Sequence, residues 1–177
     1  ELRIGFSFVS EKNARENLEA EMLGKSFAEV RSEATATWND LLGRIRVEGG
    51  TEREKGLFYS SLYRSFLWPA LRSDVNGEFT DVDGKVINPG FRYYTGPSYW
   101  DDYRNKLILL GMLAPDVAAD VISSDTDKGE KRGGFMPTFF HGDHASAFVA
   151  GTYLRGNRGF DVNRAYNLVL RNATVQG

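Results

Sequence analysis

The sequence of 177 residues contains no cysteine and only two histidines. Without cysteine there is no thiol nucleophile, no thiolate ligand for zinc and no disulfide bond. Charge is nearly balanced, with 22 basic and 24 acidic residues and no basic stripe, which argues against nucleic acid as a partner. No apolar run approaches the roughly 18 residues that a membrane-spanning helix needs. A glycine-rich phosphate loop and the serine turn of a nucleophile elbow are also absent.

The residues that are present indicate a folded domain rich in aromatic side chains. Hydrophobic residues make up 41% of the chain and charged residues 26%, which is the globular range. Aromatic residues account for 13%, which fits either an aromatic-lined cavity or a well-filled helical core. The chain begins with Glu1 and ends at Gly177 just after a helical pattern, so we expect a segment of a longer protein.

Most of the sequence has the periodicity of amphipathic helices. Two capping boxes, Ser26 with Glu29 and Thr51 with Glu54, begin helices that join at a short glycine turn and predict an antiparallel pair. These two helices are expected to continue to about residue 45 and to Pro69. Further helices are predicted over residues 11–22, 100–113, 115–123, 144–154 and 162–169.

Three segments interrupt the helical pattern. Apolar and polar residues alternate from Leu2 to Val9, which predicts one strand whose partner strands lie outside this sequence. Between residues 71 and 97, the turns at Asn76-Gly77 and Asp83-Gly84 predict a small β-hairpin. The polar residues from Asp125 to Gly134 predict a solvated loop.

The most informative stretch is Ser-Tyr-Trp-Asp-Asp-Tyr-Arg at residues 98–104. Trp100 and Arg104 are four apart, so a helix places them on one face, with Asp101 one step round. An indole beside a carboxylate and a guanidinium suits a polyol ring. The C–H face of the polyol stacks on the indole, and the polyol hydroxyls form hydrogen bonds with the two charged groups. The alternative is the start of an amphipathic helix, with Ser98 as its cap and Trp100 in the core.

Both histidines lie in one tetrapeptide, His-Gly-Asp-His at residues 141–144. Two imidazoles bind zinc only with a third ligand from elsewhere, and Asp143 is alternatively the cap of a helix. The concentration of these side chains at a helix start indicates a site without defining its type. Residues 74–77 and 81–84 resemble fragments of calcium loops, but they lack the twelve-residue pattern and fit hairpin turns better.

Short segments along nearly the whole chain match one family in the correct order. They are Ile4 to Ser10, Asn13 to Glu21, Trp38-Asn39, Ile45, Val47 to Thr51, Phe58-Tyr59, Leu62-Tyr63, Ser73 to Gly77, Tyr93 to Thr95, Ser98, Trp100-Asp101, Tyr103-Arg104 and Gly142 to Ala145. Together they resemble the glycoside hydrolase family 92 α-mannosidases.

The resemblance implies a fold and an activity. Residues 1–10 would be the last strand of an N-terminal β-sandwich, 11–25 a linker helix, and 26–177 the first part of an (α/α)6 barrel. The expected fold is mainly α, a partial (α/α)6 toroid of helical hairpins with a small β-hairpin insertion. The expected activity is that of an exo-acting, inverting, calcium-dependent α-mannosidase, secreted or periplasmic in bacteria. Its expected substrates are mannose-terminated oligosaccharides, N-glycans or mannan, with α-1,2 linkages.

The same resemblance implies which residues bind sugar. Trp100 would stack on the terminal mannose, Asp101 and Arg104 would bind its hydroxyls, and Asp143 and His144 would lie nearby. We therefore expect Asp101 and Asp143 to line one cavity. The family's catalytic acid, catalytic base and most calcium ligands lie beyond the matched segment, so none is assigned here.

Two alternatives stay open at this point. The first is a non-catalytic, carbohydrate-binding protein that keeps the helical toroid. The second is an unrelated helical domain in which the Trp-Asp-Arg cluster serves only as core and cap. Residues 125–141 differ from the corresponding stretch of the family, which leaves the linkage specificity open.

Overall fold

A computed structural model describes residues 2–138, 140 and 142–175 of the chain. Within these residues the fold consists of eight helices and one two-stranded antiparallel hairpin, so the mainly helical prediction is confirmed. The helices are α1 Glu11–Met22, α2 Phe27–Leu42, α3 Glu52–Ser65, α4 Tyr99–Asp102, α5 Lys106–Leu113, α6 Pro115–Lys131, α7 His144–Leu154 and α8 Val162–Thr174, and the strands are β1 Phe79–Thr80 and β2 Val86–Ile87. No helix in this part of the chain is long and apolar enough to cross a membrane.

The helices α2 and α3 begin where the two capping boxes predict. The Glu29 carboxylate accepts a hydrogen bond from the backbone N–H of Ser26 at 2.7 Å, and Glu54 accepts one from Thr51 at 2.7 Å. These hydrogen bonds lower the pKa of both glutamates and satisfy backbone donors that the first helical turn leaves free. The two helices pack on each other, as predicted.

The core lies among the last four helices. α5 packs against α6 and α7, and α8 packs against the same two helices. Removing apolar side chains from water is the main stabilising contribution in such a cluster. Its most buried members include Leu107, Val121, Ile122, Ala145, Phe148 and Leu168.

The predicted hairpin is confirmed between residues 74 and 87. Strand β1 pairs with β2 in the register Phe79 to Ile87 and Thr80 to Val86. The Phe79 ring stacks on Tyr93 with a centroid distance of 3.6 Å, which fixes the hairpin to the segment that precedes α4. The turn at residues 81–84 connects the two strands, whereas the turn at residues 74–77 precedes β1.

The strand prediction for residues 2–9 stays a prediction, because its expected partner strands lie outside this sequence. A strand exists only when its backbone pairs with another, and residues 2–9 form no strand with any described residue. The side chains that alternate along the predicted buried face are exposed, namely Leu2, Ile4, Phe6 and Phe8. That residues 1–10 belong to a preceding sandwich domain stays a prediction.

The polar-loop prediction is wrong for residues 125–131, because α6 continues to Lys131, whereas residues 132–134 lie outside the helix. Ser124, Asp125 and Thr126 are polar yet fully or almost fully buried, since each binds a partner inside the fold. The polar residues 124–126 therefore form hydrogen bonds inside the fold and do not belong to a solvated loop.

The predicted helix over residues 100–113 is divided in two. Helix α4 ends at Asp102, and α5 begins after Asn105, whose side chain accepts a hydrogen bond from the N–H of Lys106 at 2.5 Å. Asparagine is a favoured N-cap, so Asn105 starts a second helix. Other helix ends differ by a few residues, and α8 extends to Thr174.

Candidate functional site

The four residues of α4 place two neighbouring aromatic rings in opposite environments. Tyr99 is 2% exposed, whereas Trp100 is 52% exposed. The Asp101 carboxylate accepts a hydrogen bond from the Ser98 hydroxyl at 2.7 Å and is itself exposed. The alternative that places Trp100 in the core is therefore wrong, because Tyr99 occupies that position.

Tyr103 connects two of the predicted sugar-binding residues. The Arg104 Nε donates a hydrogen bond to the Tyr103 hydroxyl at 2.6 Å, and the guanidinium carbon lies 5.0 Å from the ring centroid. The Tyr103 ring also stacks on His144, with centroids 4.3 Å apart and planes inclined by 14°. Arg104 and His144, which are forty residues apart in sequence, thus belong to one cluster.

Asp143 is the N-cap of α7, as one of the two sequence interpretations predicts. Its carboxylate accepts hydrogen bonds from the Ser146 N–H at 3.3 Å, from the Ser146 hydroxyl, and from the Asn172 amide at 3.1 Å. It also borders a surface pocket of about 380 Å³ together with Phe140 and Asn172. Asp101 does not line that pocket, and the expectation that both carboxylates share one cavity stays a prediction.

Phe140 joins the two segments that the sequence nominates. Its ring centroid lies 6.0 Å from that of Trp100, and 69% of its surface is exposed. Its φ of 57° is in the left-handed region, which is uncommon for a bulky residue and occurs often at binding sites. Trp100 and Phe140 therefore form an exposed aromatic wall.

The aromatic wall and the charged cluster beside it are called the shelf below. The shelf comprises two groups of contacting side chains, Trp100 with Phe140 and Tyr103 with Arg104 and His144, together with Asp101, which follows Trp100 in the chain. Exposed indole, carboxylate and guanidinium groups are the kinds of side chain that bind a sugar ring. The helical spacing predicted between Trp100 and Arg104 is interrupted, because α4 ends at Asp102. Phe140 was not found from the sequence, because no local pattern reports a contact between residues so far apart.

Three side chains, Tyr99, Asp125 and Lys128, form a hydrogen-bonded group between α4 and α6. The Tyr99 hydroxyl donates a hydrogen bond to the Asp125 carboxylate, which also accepts one from the Lys128 ammonium at 2.8 Å. Burial raises the pKa of Asp125 although Lys128 opposes the shift. Burial, and secondly the charge of Asp125, raises the pKa of Tyr99 well above its ordinary value, so its phenol stays a hydrogen-bond donor.

The described residues contain no group of three or more His, Cys, Asp or Glu side chains that would hold a metal ion. His144 stacks on Tyr103, and His141, the other candidate zinc ligand, lies outside the described residues. Asp81 resembled part of a calcium loop, but its carboxylate accepts a hydrogen bond from Lys131 at 2.8 Å.

The paired helices of this chain define part of a helical toroid, and the shelf lies on its exposed surface. The family model described as the glycosyl hydrolase family 92 catalytic domain matches residues 13–177. The chain belongs to that family, which confirms the resemblance found from the sequence.

Solved structures agree with this assignment. The family GH92 α-mannosidase BT3965 from Bacteroides thetaiotaomicron superimposes with a TM-score of 0.88 at 28% identity, over 97% of this chain and 24% of that one. The same enzyme in complex with mannoimidazole gives a TM-score of 0.87 at 29% identity, over 95% and 23% of the two chains. The family GH92 inverting mannosidase BT2199 from the same organism gives 0.84 at 26% identity, over 97% and 25%.

A curated relative has been described only in general terms. An uncharacterized secreted glycosidase from Arthroderma benhamiae is 35% identical over 80 residues, which are 43% of this chain and 10% of that protein. The present chain thus spans about a quarter or less of the length of the proteins it matches.

Proposed function

We propose that this chain is part of an exo-acting, inverting α-mannosidase and that it supplies walls of the subsite for the terminal mannose. The observation that carries the proposal is the shelf, in which Trp100 and Arg104 are exposed. Arg104 binds the hydroxyl of Tyr103, whose ring stacks on His144. Support comes from the family and from two relatives, one titled an inverting mannosidase and one an α-mannosidase bound to mannoimidazole.

Each proposed sugar-binding residue has a chemical role that follows from its side chain. Trp100 stacks on the apolar C–H face of the mannose ring, since about half of the residue's surface is exposed. Asp101 accepts hydrogen bonds from sugar hydroxyls and Arg104 donates them, and hydrogen bonds to charged groups contribute about 1.5–3 kcal/mol each. Asp143 and His144 border the same subsite from the start of α7.

The bond-breaking step needs two carboxyl groups that we place outside this chain. Inversion requires one carboxylic acid to protonate the leaving oxygen and one carboxylate to activate water, roughly 6.5–9.5 Å apart. The Asp101 carboxylate is bound to Ser98 and that of Asp143 caps α7, so both are assigned to binding. This chain's own residues therefore hold and orient the sugar while the flanking chain supplies the proton transfers.

The proposal includes calcium and an export route, which the family implies. The residues described here do not fit a calcium site, because no cluster of acidic ligands is present among them, and no ligand or reaction step is assigned to the ion. Secretion or a periplasmic location is supported by the relative described as a secreted glycosidase. The proposed substrates are α-1,2-linked mannosides at the ends of N-glycans or mannan.

The first-formed product tests this function. The full-length protein is incubated with methyl α-D-mannoside, and the anomer of the released mannose is followed by NMR before mutarotation. We expect β-mannose to appear first, and methyl α-D-glucoside to be left intact as the matched control. Release of α-mannose first would contradict inversion, and binding of mannoside without hydrolysis would identify a carbohydrate-binding protein instead.

A further inference from the structure

We propose that Asp125 is a positioning residue for the shelf. Through the Tyr99 hydroxyl it fixes the short helix α4 that presents Trp100 and Asp101. The inference rests on the proposed function, because the shelf is the proposed mannose-binding surface. Asp125 does not reach the sugar itself, since its side chain is completely buried in α6.

Side chains on one face of α6 form hydrogen bonds with the chain segment that leads into α4. The Ser124 hydroxyl accepts a hydrogen bond from the Tyr94 N–H at 3.0 Å, and the Lys128 ammonium donates one to the Tyr94 carbonyl at 2.9 Å. Between them Asp125 binds Lys128 and the Tyr99 hydroxyl. Residues 124, 125 and 128 are close neighbours on a helix, so they form a single polar surface against residues 94–99.

The opposite side of residues 94–99 is held by a second segment. The Thr95 N–H donates to the Ala70 carbonyl at 2.9 Å, the Thr95 hydroxyl accepts from the Ala70 N–H at 2.8 Å, and the Trp68 indole donates to Gly96 at 3.1 Å. Beyond Gly96, the Tyr99 side chain is the next group that ties the chain to α6. A helix of four residues has too few internal hydrogen bonds to hold its own position, so α4 depends on contacts with its neighbours, among them the Tyr99 hydrogen bond to α6 and packing on α7.

Tyr99 also reaches the second group of proposed sugar-binding residues. Its ring lies 6.3 Å from Phe148 of α7, and the charge of Asp143 contributes to its raised pKa. Tyr99 therefore lies between α6, the shelf and the N-terminus of α7. A shift of its hydroxyl would move Trp100 and Asp101 relative to Asp143 and His144.

Stability alone gives a weak reason for a buried aspartate at this position. Replacing a buried ion pair by apolar residues of similar volume is often neutral or stabilising, because desolvation of the charges offsets their attraction. The Asp125–Lys128 pair has hydrogen-bond partners in the very segment that leads into the shelf. Positioning of that segment is the role that its contacts indicate.

The chain offers a matched control in Asp81. The Asp81 side chain is 1% exposed and pairs with Lys131 of α6 at 2.8 Å. Asp81 is therefore, like Asp125, a buried aspartate bound to a lysine of α6. Its other partners are the N–H groups of Asp83 and Lys85 in the hairpin, at 2.9 and 2.8 Å. Asp81 therefore fixes the hairpin, whereas Asp125 fixes the approach to the shelf.

The experiment compares Tyr99→Phe, Asp125→Asn and Asp81→Asn in the full-length protein. Mannoimidazole affinity is measured by calorimetry, and deuterium uptake is followed in peptides covering residues 79–87 and 94–104. Tyr99→Phe and Asp125→Asn should weaken mannoimidazole at least tenfold and raise uptake in 94–104. Asp81→Asn should raise uptake in 79–87 only and change the affinity less than twofold. The double variant Tyr99→Phe/Asp125→Asn should lose less affinity than the product of the two single losses.

Several results would overturn the inference. Unchanged uptake in 94–104 for Tyr99→Phe means that the hydroxyl does not fix α4. Raised uptake with affinity within twofold of wild type means that the contact is structural only. If Asp125→Asn does not fold, Ser124→Ala, which removes the acceptor for Tyr94, is measured with Tyr99→Phe. A wild type that binds no mannoimidazole contradicts the proposed function, and the uptake of 94–104 still decides whether Asp125 positions α4.

Discussion

Tyr99 and Trp100 are adjacent in sequence, yet one is buried and the other is half exposed. The sequence identified the Trp-Asp-Arg cluster but did not distinguish a sugar shelf from a helix cap with Trp100 in the core. The two interpretations differ in which aromatic ring enters the core. Tyr99 enters it, and its hydroxyl donates a hydrogen bond to the buried Asp125 carboxylate. That partner is 26 residues away, so local spacing did not reveal it.

Gly129 and Gly56 give a second comparison at the residue scale. Both lie within helices, but a Cβ at Gly129 would lie 2.4 Å from the Phe135 carbonyl oxygen and 2.9 Å from a Leu168 methyl carbon. A Cβ at Gly56 meets nothing within 4 Å. Glycine is thus required for close packing in α6 and only tolerated in α3.

Alanine at these two positions should have opposite effects. Gly129→Ala is expected to lower the free energy of unfolding by about 1–3 kcal/mol, because the backbone of residue 135 must move. Gly56→Ala is expected to raise it by up to about 1 kcal/mol through helix propensity. Urea unfolding of the full-length protein measures both changes, and equal stabilisation by the two variants would contradict the close approach at Gly129.

At the scale of the element, helix starts were predicted better than helix ends. Ser26 and Thr51 carry the information for their own helices, since a capping box closes within four residues. The end of α6 was not predictable in this way, because its polar residues find partners in distant segments. The strand prediction at residues 2–9 stays a prediction for a related reason, since its expected partner strands lie outside this sequence.

In the candidate site, too, local sequence predicted the separate groups of residues but not the contacts between them. Its members were predicted in two groups, Trp100 with Asp101 and Arg104, and Asp143 with His144. The contacts between the groups pass through Tyr103 and Phe140, and neither the stacked ring pair nor the left-handed φ of Phe140 leaves a pattern in the sequence. Their role in binding mannose is still a prediction.

At the scale of the whole molecule, large apolar side chains are unusually exposed. No residue of α2 is buried, and the most exposed large side chains include Phe27, Leu57, Met112 and Leu154. The chain spans 24% of the length of the α-mannosidase BT3965 that it superimposes on. We propose that the remainder of the toroid covers these faces, because contiguous apolar patches above a few hundred Å² are rare on soluble monomers.

The 177 residues expressed alone should therefore associate or stay partly molten. We expect oligomers in size-exclusion chromatography, strong binding of the dye ANS and a broad thermal transition, since exposed apolar surface produces each of these. A monomer with a sharp cooperative transition and no dye binding would show that these faces need no cover.

The most direct test of the account is kcat/KM of the full-length protein for an α-mannoside with Asp101→Ala and with Asp102→Ala. The neighbouring carboxylate of Asp102 pairs with Lys106 at 3.1 Å and serves as the matched control. Asp101→Ala should lower kcat/KM at least about a hundredfold, because the lost charged hydrogen bonds contribute about 3 kcal/mol to transition-state binding. Asp102→Ala should change it only a few fold. Near-normal kcat/KM for Asp101→Ala would contradict the proposal that the shelf holds mannose.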